Sequence, residues 1–67
     1  MNKKHYNVSG LLNEQIKLQV KNVLHDIKGV NTVDVDLTNG SIEVGYNDAA
    51  DTDEIMQGIE RVGCKIE

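Results

Sequence analysis

The sequence predicts a small α+β sandwich in the order βαββαβ, a four-stranded antiparallel sheet with two helices on one face. Three observations lead there. Two segments alternate apolar and polar residues on either side of Asn39-Gly40; two others repeat apolar residues at helical spacing; and short alternating segments open and close the chain. The chain has 67 residues, which make one domain, 1–67.

Taken in order, Tyr6 and Val8 alternate with His5 and Asn7, the mark of a half-buried strand over residues 4 to 9, broken by Ser9-Gly10. Asn13 is a good N-cap, and Glu14 and Gln15 suit the positive end of a helix. Ile16, Val20, Val23, Leu24 and Ile27 then form its apolar stripe, so a first helix spans 14 to 28 and ends at Lys28-Gly29. Val33, Val35 and Leu37 alternate with Asp34, Asp36 and Thr38, and Ile42, Val44 and Tyr46 alternate with Glu43 and Gly45. Asn39-Gly40 between them is the preferred pair for a type I′ turn, which makes a hairpin. Asp51-Thr52-Asp53-Glu54 resembles a capping box, and Ile55, Met56, Ile59 and Val62 follow as the stripe of a second helix that Gly63 ends. Cys64 to Glu67 leaves room for one short strand, with Cys64 and Ile66 on the same face.

Strands with one apolar face need cover on one side only, and two amphipathic helices supply it. That arrangement is the ferredoxin-like plait. Right-handed crossovers put the first and third strands in the centre and the fourth and second at the edges.

Composition narrows the function. With no Trp, no Phe and two Tyr, the core is aliphatic. One cysteine allows no internal disulfide, which points to a reducing, cytoplasmic setting. No apolar run has signal-peptide or membrane-spanning length, so the expectation is a soluble, untargeted protein without a membrane partner. The net charge of −4 divides into +3 over residues 1 to 33 and −7 over residues 34 to 67. An acidic, aromatic-poor chain is a poor nucleic-acid binder, because it lacks residues to neutralise phosphates or stack bases. An enzyme is not expected either. No Ser or Cys has a His and an acid at suitable spacing, no glycine loop could cradle phosphate, and so small a plait has little room for a cleft.

The ordered set Tyr6 to Gly10, Val20, Leu24, Ile27, Gly29-Val30-x-x-Val33-x-Val35, Asn39-Gly40, Tyr46, Ile55, Ile59 and Gly63 resembles the heavy-metal-associated (HMA) domain family. That family comprises small copper chaperones and the N-terminal domains of copper-transporting P-type ATPases. Its metal loop reads Gly-Met-x-Cys-x-x-Cys. In register, this chain has Gly10-Leu11-Leu12-Asn13-Glu14-Gln15-Ile16, with Asn13 and Ile16 at the two cysteine positions. Copper(I) is a soft ion held by two thiolates, which neither an Asn carbonyl nor an Ile side chain replaces. Instead, Asn13 caps the helix and Ile16 adds apolar area worth about 1.5–3 kcal/mol when fully buried. The degenerate loop is thus read as serving stability or docking, with Leu11 in the Met position as a core plug.

Cys64 is the one soft ligand, and the resemblance sets it close to that loop. Its first reading is a buried core residue. Its second is copper(I), or another soft metal, shared in trans across a homodimer or with a partner's thiol. Redox sensing is the third, with no base or dedicated cation in view to lower its pKa.

On the first helix, Lys17, Lys21 and Lys28 fall within about 40° of one another at 100° per residue, a basic stripe flanked by Leu12 and Leu18. It is either a solvated face or a docking surface for an acidic partner, and the resemblance makes a metal-transporting ATPase domain the natural candidate. Asp34, Asp36 and Glu43 should share the open sheet face near His5 and Asn7, as solvated charges that discourage edge pairing or, less economically, as ligands for a hard cation. His25 is read as an exposed residue suited to the negative helix end. Gly58 points to close approach of the second helix to the sheet or to the first helix.

The expected function is a protein-docking or regulatory module in metal homeostasis. The alternatives are metal transfer through Cys64 and a small-molecule-sensing regulatory plait, which shares the strand order and would take its ligand at the Gly10 loop.

Overall fold

The computed structural model describes residues 2–67, in the order β1 (Asn2–Ser9), α1 (Glu14–His25), β2 (Val30–Asp36), β3 (Ser41–Tyr46), α2 (Thr52–Arg61) and β4 (Lys65–Ile66). All strand pairs are antiparallel, and the sheet order is β2-β3-β1-β4, with β1 and β3 central as the crossover rule requires. Among the described residues, no helix is long and apolar enough to cross a membrane.

The core lies between the helices and one face of the sheet. Tyr6 and Val8 from β1, Val33 from β2 and Ile42 and Val44 from β3 meet Val20 and Leu24 of α1, Ile55 and Ile59 of α2, and Cys64. Each large aliphatic side chain taken fully out of water there contributes about 1.5–3 kcal/mol. Gly58 is a point of close approach between the helices. A Cβ on it would lie 3.1 Å from Leu24 Cδ2 and 3.2 Å from Val23 Cγ1, so the expected contact is helix to helix.

Four boundaries differ from the sequence reading, each for a local reason. β1 starts at Asn2, two residues before the alternation begins, because β3 pairs with it as far as Asn2↔Tyr46 even though Asn2 and Lys4 are polar. α1 ends at His25 with Asp26 as its cap, short of residue 28. There the Ile27 N–H donates to Leu24 O at 3.1 Å, tightening the last turn, and the chain is already turning into β2 at Val30.

β2 stops at Asp36, so Leu37 and Thr38 belong to a four-residue loop. The Asn39-Gly40 turn is not type I′, which needs positive φ at both central residues: Gly40 has φ +63°, whereas among the described residues no non-glycine residue, Asn39 included, has a positive φ. The Asp36 carboxylate makes the difference. Its Oδ1 accepts the Thr38 and Asn39 N–H groups at 2.9 and 3.1 Å, and its Oδ2 accepts Asn39 Nδ2 at 2.7 Å, folding the loop around an Asx turn. These bonds hold the Asp36 carboxyl below its ordinary pKa, those from Asn39 first.

Candidate functional site: the loop between β1 and α1

The loop Gly10–Asn13 carries the chain from a central strand to the N-terminus of α1. Gly10 has φ +98°, and a Cβ on it would sit 3.2 Å from Gly63 O, 3.4 Å from Cys64 Cα and 3.9 Å from Cys64 Sγ. The backbone entering the loop is therefore pressed against the α2–β4 connection, and Cys64 lies beside the loop. The thiol is 2% exposed, and burial pushes its pKa up, so it is an un-ionised core group at neutral pH.

Beyond Gly10 the side chains part. Leu11 packs against the core, while Leu12 is 80% exposed. Asn13 is extended, and its Oδ1 accepts the Ile16 N–H at 3.0 Å, satisfying one of the free donors of the first helical turn. Its carbonyl accepts the Lys17 N–H at 3.1 Å, and Ile16 packs partly buried against the core.

These residues do not fit a soft ion. The chain offers one thiol, that thiol is buried, and Asn13 is committed to the backbone. Among the described residues, no three His, Cys, Asp or Glu side chains converge in a group able to hold a metal. This applies to the open sheet face as well. Register aligns Asp34, Glu43 and His5 across three strands, but Asp34 and His5 stand in solvent and Glu43 pairs loosely with Lys3 at 3.9 Å.

Lys17 and Lys21 stand on α1 with Leu18, which is 57% exposed. Lys28 lies beyond the end of α1. Helical angles therefore no longer place it, and it lines a groove of about 520 Å³ between the helices with Asp26, Glu54 and Arg61 around Val23 and Gly58. Sequence spacing gave no sign of that groove, because it exists only once the helices are packed. A second feature also escaped it: the buried Tyr6 hydroxyl has no hydrogen-bond partner among the described residues.

The sequence matches no protein-family model and no curated protein, but it is similar to solved structures over almost its whole length. A CopZ metallochaperone superposes with a TM-score of 0.93 at 30% identity, covering 98% of this chain and 100% of that one. The yeast copper transporter domain Ccc2a, solved in apo and Cu(I)-loaded states, gives 0.90 at 25% identity, covering 100% of this chain and 96% of that one. A copper-binding domain from HMA7, a P-type ATPase, gives 0.91 at 24% identity over 100% of this chain and 92% of that one. The fold is that of the small metal-handling plaits. The chain belongs to the heavy-metal-associated domain family.

Proposed function

We propose that this chain is a heavy-metal-associated domain whose metal loop serves protein docking, making it a non-catalytic docking or regulatory module in metal homeostasis. The observation that carries this reading is Asn13. Where the family resemblance puts the first cysteine, the side chain is occupied in capping α1 through the Ile16 N–H. What the loop leaves in solvent is Leu12, with exposed Leu18 and half-buried Lys17 and Lys21 on the helix that follows. An apolar patch edged by lysines suits a partner with an acidic rim around an apolar contact. The likeness to a copper-binding domain of a P-type ATPase supports a metal-transporting ATPase domain as the partner class, and the single cysteine supports a reducing, cytoplasmic setting.

The test is an anaerobic copper(I) titration under reducing conditions against a strong competitor, read by native mass spectrometry, with Cys64→Ala alongside. The expected result is no one-to-one complex with either chain. Tight monomeric loading overturns the proposal. The position of Cys64 beside Gly10 favours one other reading, a metal shared between two chains. One ion per two chains, lost in Cys64→Ala, would establish that reading instead.

A further inference from the structure

The sheet ends on β2, two strands from β1 and three from β4, so its outer edge lies on the side away from both ends of the chain. Backbone parity decides what that edge offers. The Val8 N–H donates to Gly40 O at 2.9 Å, so even-numbered residues of β1 and their partners Ile42, Val44 and Tyr46 turn their backbone groups toward each other. Ser41, Glu43 and Gly45 therefore face β2, opposite Asp36, Asp34 and Thr32. That leaves the N–H and C=O groups of Val33 and Val35 pointing outward, and among the described residues nothing bonds to them. A register shift between Val30 and Thr32 confines the regular part of this edge to residues 32 to 36.

Opposite charges flank the edge on its two faces. On the open face, Asp34 is exposed and makes no ion pair or hydrogen bond among the described residues, whereas the Asp36 carboxylate is taken up by Thr38 and Asn39. On the other face stands α1, which packs on both β2 and α2. Val23 is its contact with Gly58 of α2, and at about 100° per residue Lys17 and Lys21 lie about 120° and 160° around the helix from Val23, on the flank over β2. Both lysines are half-buried, and neither has an acid within ion-pair distance among the described residues. After the Asn39 and Thr38 bonds, Lys17 also helps hold the Asp36 carboxyl below its ordinary pKa, which places its ammonium near this edge. Val35, between the two charged sides, is half-buried and leaves apolar surface along the strand.

These charges select the occupant. A strand added here puts alternate side chains on opposite faces: those opposite Val33 and Val35 stand under Lys17 and Lys21, and the one between them stands beside the Asp34 carboxylate. A second copy of the chain, pairing through its own β2 about Asp34, would oppose carboxylate to carboxylate on one face and α1 lysines to α1 lysines on the other.

We propose that the outer edge of β2 is a strand-addition site for an extended partner segment that alternates acidic and basic residues, with acids toward Lys17 and Lys21 and a base toward Asp34. Lys17 and Lys21 belong to this surface and to the docking surface described above, so the site rests on that reading and deepens it with the conformation and charge pattern of the segment that docks.

The probe is a capped peptide of alternating Glu and Lys, about seven residues long, added to the full chain. A peptide of the same composition with its Glu and Lys in separate blocks is the control. Amide exchange and NMR shifts report the site. The alternating peptide is expected to protect the Val33 and Val35 amides, and the blocked one to leave them unchanged. Asp34→Lys and Lys21→Glu each reverse the charge on one face, and Val35→Pro deletes an outward N–H without touching the β2–β3 ladder. Each is expected to weaken binding about fivefold. If Val35→Pro fails to fold, the two charge reversals decide.

Shifts confined to Leu12, Leu18 and α1, with Val33 and Val35 unprotected, would overturn strand addition while leaving the loop-docking reading standing. Equal protection by the blocked peptide, undiminished binding in the variants that fold, no response to either peptide, or a dimer that protects the same amides without peptide would each overturn it too. Tight one-to-one copper(I) loading, the result that defeats the docking reading, is read in a separate titration, so the two failures are distinguishable.

Discussion

Two loops of this chain, Gly10–Asn13 and Leu37–Gly40, rest on the same device and leave different surfaces behind. Each is fixed by a side-chain oxygen accepting nearby backbone N–H groups, Asn13 for Ile16 in one and Asp36 for Thr38 and Asn39 in the other. In the hairpin loop the fold uses what it has: the one apolar residue, Leu37, is half-buried. In the loop before α1, Leu11 serves the core and Leu12 stands in water. A loop whose residues all have structural work needs no partner to explain it. An exposed leucine beside half-buried lysines is the surface that the proposed docking role would use.

The largest effect that would break the comparison is at the glycines. Gly10→Ala forces an L-residue to φ +98° with its Cβ 3.2 Å from a backbone oxygen, and should cost about 2–3 kcal/mol by urea denaturation. Gly40→Ala would likewise bring a Cβ to 3.1 Å from a backbone oxygen, that of Val8, but at φ +63° it sits in the left-handed region that an L-residue can adopt, and should cost about 1–2 kcal/mol. Were the two costs reversed, the contact with Val8 would outweigh the backbone conformation at Gly10.

Next comes the cap. Asn13→Ala should lose about 1 kcal/mol, and Asn13→Asp should restore most of it, since either side chain accepts the Ile16 N–H. Equal stability of the Ala variant and the parent would mean that Asn13 is free for another task.

The hairpin clamp is smaller and depends on pH. Asp36 is held below its ordinary value of 3.8 in the folded chain, so its contribution is present above that value and disappears as the pH falls through the lower folded one. The stability gap between the parent and Asp36→Ala should accordingly narrow on acidification. A gap independent of pH would show that the carboxylate charge has no part in the loop.

What the sequence disclosed and what it hid divide along the same physical line. Asn13, Ile16 and the stripes of both helices were legible because capping and periodicity act within a few residues. The Asn39-Gly40 turn was misjudged because dipeptide preference was outweighed by Asp36, three residues upstream of Asn39. Helical angles do not reach Lys28, because the tightened turn at Ile27 ends the helix that they assumed. The groove at Gly58 and the Tyr6 hydroxyl depend on elements meeting in space, and no spacing rule carries that information.

Smallest in stability and sharpest in meaning is Leu12→Gln. A side chain 80% exposed contributes little to the folded state, so the midpoint of unfolding should move by no more than about 0.5 kcal/mol. If the loop docks a partner through an apolar contact, the same substitution should weaken association with a metal-transporting ATPase domain, as should Lys17→Glu, while Leu37→Gln leaves association intact. Isothermal titration with all three variants separates the possibilities. Loss at Leu12 and Lys17 alone assigns binding to this loop and its helix. Equal loss at Leu37 would remove the distinction between the two loops, and loss at none of them would leave Leu12 an ordinary exposed leucine.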